Sequence, residues 1–105
     1  MTGQWSFADE FGDFVSFSYP FQLATPIASA DVEFLPVGEE ETTDCPGTPD
    51  NPQAASGKLC IYTKAGPAEF SGFNELVGLP YSSVTGASLA LEEQYGFGTW
   101  AVMAP

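Results

Sequence analysis

Arginine and histidine are absent from this 105-residue chain, and Lys58 and Lys64 are its only basic residues. Each gap closes off a class of function. Binding a phosphate backbone requires cations that replace its counterions. Two lysines against fourteen Asp and Glu, a formal charge of -12, therefore argue against direct nucleic-acid contact. The same field disfavours anionic membranes, and no run approaches the roughly 18 apolar residues of a membrane span. Membrane insertion is not expected. The N-terminus lacks the basic and then apolar signature of a secretory signal. Without histidine the commonest general base and the commonest transition-metal ligand are both missing. Carboxylates, hydroxyls and two thiols are left for any chemistry, so neither an enzyme nor a bound cofactor is expected.

Helix signals are scarce as well. Nine prolines and eleven glycines are spread along the chain, leaving few windows long enough for three helical turns. What is present is apolar and aromatic: 44% of residues are hydrophobic and 14% aromatic, enough to place the chain among ordered globular domains despite its charge. The length allows one small domain over residues 1–105. Met1 to Trp5 run directly into strand-like sequence, which predicts a domain excised from a longer chain and given its own start codon.

Period-two patterns recur. Val15, Phe17 and Tyr19 alternate with Phe14, Ser16 and Ser18, and Trp5 and Phe7 alternate with Gln4 and Ser6. Val32 and Phe34 are set against Asp31 and Glu33, and residues 59–63, 88–91 and 98–103 add further β-rich runs. Six or more short strands with Pro- and Gly-rich connections predict an all-β domain, an antiparallel β-sandwich of jelly-roll-like type.

Cys45 and Cys60 are not spaced as a CxxC pair, and two thiolates fall short of the four ligands of a structural zinc site. Two readings remain: a disulfide, or two small apolar core residues. The intervening PGTPDNPQAASGK is turn chemistry able to bring its ends together, which favours the disulfide and with it an oxidising, extracellular setting. Just upstream, Glu39, Glu40 and Glu41 with Asp44 form the densest acidic cluster. Such oxygens are calcium ligands in principle, but the spacing matches no EF-hand, and a solvated charge run is the favoured reading, so no metal site is expected. Asp9, Glu10 and Asp13 form a weaker cluster with the same reading. A glycosidase-type carboxylate pair has no supporting motif.

Phe7, Phe11, Phe14, Phe17, Tyr19, Phe21, Phe34, Phe70, Phe73, Tyr95, Phe97 and Trp100 exceed what a sandwich of this size comfortably buries, so some should lie at the surface and contact another chain. Phe14, on the serine-bearing face, and the stretch from Phe70 to Phe73 are the first candidates.

SFSYPFQLATP, then CPGT, a Pro- and Ala-rich link, GKLCIY and the terminal YGFGTWAVMAP together resemble the C-terminal head domains that follow Gly-X-Y collagen-like stalks in bacterial surface proteins. The resemblance covers most of the chain in outline and is most specific at residues 45–62 and 95–105. It implies a β-rich, non-enzymatic, extracellular head that sets chain number and register for a triple helix. Cys45 and Cys60 would match the paired cysteines of such heads, and Gly98, Thr99, Trp100, Ala101 and Val102 their closing strand. Trp100 would join Phe14, Phe70 and Phe73 at a trimer interface. No Gly-X-Y repeat stands in this chain, so the resemblance concerns a stalk outside it.

The expected function is a trimerising or adhesive head at a cell or virion surface, with a possible extracellular ligand. Alternatives from other classes are an acidic protein that mimics nucleic acid, a viral capsid or fibre component, and a carbohydrate-binding module with exposed aromatics as stacking platforms.

Overall fold

A computed structural model describes residues 1–8, 13–35, 38, 41–65, 81–91 and 95–105. The described strands are β1 (Thr2–Ala8), β2 (Asp13–Ser18), β3 (Val32–Leu35), β4 (Leu59–Ala65), β5 (Tyr81–Ser82), β6 (Gly86–Leu91) and β7 (Tyr95–Val102). A single 3-10 turn at Ser29–Asp31 leads into β3. The all-β expectation holds. Four strands form one sheet in the order β1-β7-β4-β3, and three form a second in the order β2-β6-β5.

Alternation decides which side chains enter the core. Register places Trp5 opposite Gly98, Gly3 opposite Trp100, and Trp100 opposite Ile61, so these residues share one face of the larger sheet. From that face Trp5, Leu59, Ile61, Trp100 and Val102 join Ala87 of the smaller sheet in one buried cluster, with Phe17 packed against it. Phe17 stacks on Trp100 at 4.9 Å between ring centroids and 11° between planes, which ties the two sheets directly. Tyr19, Leu23 and Ile27, from the segment after β2, are buried in the same cluster. Their segment is held by backbone bonds from Tyr19 N to Thr85 O and from Leu23 N to Val84 O. Each fully buried large side chain contributes about 1.5–3 kcal/mol of apolar burial.

Two glycines make this packing possible. The Trp100 ring lies across Gly3, where an added Cβ would come within 2.5 Å of it. At Gly98 an added Cβ would meet the Tyr62 carbonyl oxygen at 1.8 Å. That carbonyl also accepts the Trp5 indole N–H at 3.0 Å, so the missing side chain at position 98 leaves room for a buried donor to be satisfied.

Two expectations are corrected. Pairing is not antiparallel throughout, because β3 and β4 run parallel. A parallel pair needs a crossover of about a dozen residues or more, and the chain between Leu35 and Leu59 supplies it. Trp100 is not at an interface: it is only 3% exposed, held between Phe17 and Gly3 inside the single chain.

Candidate functional site

The outward face of the larger sheet carries Gln4, Ser6, Phe97, Thr99, Cys60 and Tyr62, by the same alternation that sends Trp5 and Trp100 inward. Over β4 and β3 this face is covered by the segment between the two cysteines. Cys45 and Cys60 are joined as a disulfide with their Cα atoms 5.6 Å apart. Together with Leu35 and Tyr62 they form a second buried cluster, and Ala54 of the loop packs against it.

The bridge is only one of several fastenings. The Tyr62 hydroxyl donates to the Gln53 carbonyl and accepts the Gly47 N–H at 2.9 Å. Thr99 Oγ1 donates to the Pro49 carbonyl at 2.7 Å. Within the loop, Thr48 and Asn51 exchange two backbone bonds, and Ala55 N donates to Asp44 O at 2.8 Å. Both lysines serve the same segment. Lys64 Nζ lies 2.8 Å from Asp50 at the loop tip, and Lys58 Nζ lies 2.8 Å from Asp31 and 3.6 Å from Asp44, next to Cys45. A stretch whose composition suggests turns is therefore a plate fastened to the sheet.

Where the plate stops, a groove of about 720 Å³ opens over β1 and β7. Gln4, Ser6, Phe97 and Thr99 form its floor, and Pro49, Asp50 and Lys64 its wall. Phe97 is 49% exposed, one of three large hydrophobic side chains at the surface among the described residues, with Phe21 and Met103. Phe97 is directly opposite Ser6 and Gln4 is directly opposite Thr99, so an aromatic face and neutral hydrogen-bonding groups stand in adjoining rows. The charges that line the groove, Asp50 and Lys64, neutralise each other.

The other candidates fall elsewhere. Phe70, Phe73, Glu39 and Glu40 lie outside the described residues, as does the side chain of Phe14. Glu41 is exposed, and the Asp44 carboxylate faces Lys58. The Glu33 carboxylate and the two cysteine sulfurs lie within 4.8 Å of one another. Bonded to each other, those sulfurs supply no thiolate ligands, and Glu33 Oε2 accepts the Thr42 hydroxyl at 3.0 Å. The trio is part of the loop's anchorage.

Among the described residues, three groups have pKa values moved from their usual range. Burial raises the Tyr62 phenol above its usual range, against the two backbone hydrogen bonds that it makes to the loop, while the Glu33 and Glu41 charges add to the rise. Tyr19 is raised by burial too, with the Ser82 hydroxyl opposing. The hydrogen bond to Asp31 raises Lys58.

Sequence reasoning missed the groove because its parts come from residues 4–6, 16, 49–50, 64 and 97–99, and only the register, the packing of β2 beside β1 and the loop's docking bring them together. The available signal was Phe97 flanked by two glycines, an aromatic on a strand with little beside it to cover its face. Comparison with family models, curated proteins and solved structures finds no match for the chain.

Proposed function

We propose that this chain is a non-enzymatic, extracellular adhesive head that binds its ligand in the groove between the stapled loop and the outer face of the larger sheet. The observation that carries this reading is the fastening of the loop. A disulfide, the two hydrogen bonds of Tyr62, the Thr99 hydroxyl and both lysines all hold one wall of one groove. Rigid walls reduce the ordering cost of binding, which is how a shallow surface gains affinity. The disulfide fits an oxidising compartment. For the Asp50 carboxylate, direct pairing with Lys64 suits recognition better than proton transfer, since its charge is already matched.

In this reading the head sits at a cell or virion surface, as the resemblance to collagen-stalk heads implies, and homotrimeric display would multiply weak contacts through effective concentration. Trp100 takes no part in such an interface, being buried within one chain.

Labelled protein titrated onto intact cells and extracellular matrix tests the proposal. Saturable retention that is lost in Phe97→Ala and kept in Phe21→Ala is expected. Retention that is non-saturable, or equal in the two variants, would overturn it.

A further inference from the structure

Resting on the binding reading above, the geometry points to a neutral, hydroxyl-rich ligand for this groove: a sugar chain lying with a ring face on Phe97 and its hydroxyls among Gln4, Ser6, Thr99 and the Asp50–Lys64 pair.

Charge removes most other classes. A chain of net charge -12 repels polyanions, which disfavours nucleic acid and acidic polymers. A cationic ligand would be drawn to the molecule as a whole, but the carboxylate at the groove is matched at 2.8 Å by Lys64. Geometry removes others. The floor is the face of a sheet, where the β1 backbone is paired with β7, while the open edge of β1 lies at the side of the groove. A peptide added as a strand would pair along that edge and leave the Phe97 face uncovered, which Phe97→Ala distinguishes. An amphipathic helix needs a row of apolar contacts, whereas Phe97 is the one large apolar side chain among the groove residues that is substantially exposed.

What remains matches a sugar. A pyranose has an apolar C–H face for an aromatic ring and a rim of hydroxyls that both donate and accept. The groove offers both in register. Neighbouring strands are about 4.8 Å apart, close to the width of one sugar ring, so Ser6 beside Phe97 and Thr99 beside Gln4 can bracket a single unit. The Thr99 hydroxyl already donates to Pro49 O, so its lone pairs are left to accept. The Gln4 amide supplies both donor and acceptor, and the Ser6 hydroxyl likewise. The ion pair at the mouth is exposed, with side chains 50% and 78% accessible, so the ammonium hydrogens and carboxylate lone pairs that it does not use stay open to ligand hydroxyls. A volume of about 720 Å³ open to solvent takes an internal segment of a chain as well as its end.

The test is an array of neutral oligosaccharides of hexoses and N-acetylhexosamines, printed beside sialylated and sulfated ones and beside a random peptide library. Calorimetry on the best binder follows, with all variants checked for unchanged thermal unfolding. Expected are binding to neutral glycans, little change in affinity between low and high salt, and a loss of about tenfold or more in Phe97→Ala. Phe97→Tyr should retain binding, and Phe21→Ala, an exposed phenylalanine that does not line the groove, should match the unaltered protein. Neutral-glycan binding that survives Phe97→Ala would overturn the inference. Preference for acidic glycans, or peptide binding abolished by Phe97→Ala with silence on every glycan, would overturn the sugar and leave the groove as a binding site. Silence on both glycans and peptides, together with cell and matrix retention indifferent to Phe97→Ala, would overturn sugar and binding module alike.

Discussion

The hydroxyl of Tyr62 is shared between two backbone groups of the loop, so removing it leaves Gly47 N–H and Gln53 C=O without their partner. Tyr62→Phe should destabilise the protein by about 1–3 kcal/mol, read as a lower denaturation midpoint at unchanged slope. The same phenol belongs to a set with one sign. Tyr62, Tyr19 and Lys58 all have raised pKa values, so the folded state holds their protons more tightly than the unfolded one. Stability from these groups is fully present below the unfolded values, 10.0 for the tyrosines and 10.5 for Lys58, and is lost as pH rises through the folded ones. Thermal unfolding followed from neutral pH upward should show a plateau and then a decline that begins near pH 10. A decline complete well below that point would contradict the assignment. Gly98 makes a harsher case. Gly98→Ala drives a methyl group into the Tyr62 carbonyl and displaces the acceptor of the Trp5 indole, so failure to accumulate folded protein is the expected outcome. Composition alone could not have singled out this glycine among eleven, because its role depends on the carbonyl of Tyr62, thirty-six positions earlier in the sequence and brought beside it only by the pairing of Gly98 with Thr63.

Among the elements, the strands were the readable part. Alternation around Trp5 and Phe17, and the β-rich runs near residues 32, 59, 88 and 98, all coincide with described strands, with Tyr19, Asp31 and Met103 just beyond the strand ends, because a two-residue period is a local property of the chain. The sense of pairing was not readable. Whether β3 and β4 run parallel depends on where the chain between them travels, and no local pattern records a path. The loop shows the same division. Its cysteines favoured a disulfide on spacing and composition, but its docking by Tyr62, Thr99 and Lys64 is written in residues far outside it. The bridge spans 15 residues of sequence, for which chain entropy gives about 3 kcal/mol. Cys45→Ala with Cys60→Ala should cost about that much in chemical denaturation, plus a share for the space left under Ala54. If the loop is the groove's wall, the same pair of substitutions should weaken binding more than Phe21→Ala does, under conditions where the protein is still fully folded. Equal binding would mean that the hydrogen bonds suffice to hold the wall.

For the whole molecule, charge governs association. Copies of a chain with fourteen acids and two lysines repel one another, and the repulsion is long-ranged only at low ionic strength. The trimer implied by the collagen-head resemblance should therefore strengthen with salt. Sedimentation at rising salt and high protein concentration, with native mass measurement in the presence and absence of reductant, reports both stoichiometry and the role of the bridge. A monomer under all those conditions would remove self-assembly of this chain and bear in no way on the binding proposed for the groove. The two cations have one more consequence. With no arginine present, Lys58 and Lys64 are the only positions at which trypsin can cut this chain. Lys64 lies near the end of β4, at the register shift between Thr63 and Ala65 in its pairing with β7, and the Lys58 carbonyl, just before β4, is bonded to Met103 N. Cutting at either bond draws one end of β4 away from β7. Tryptic digestion at low protease should thus report the fraction of molecules in which that pairing is open.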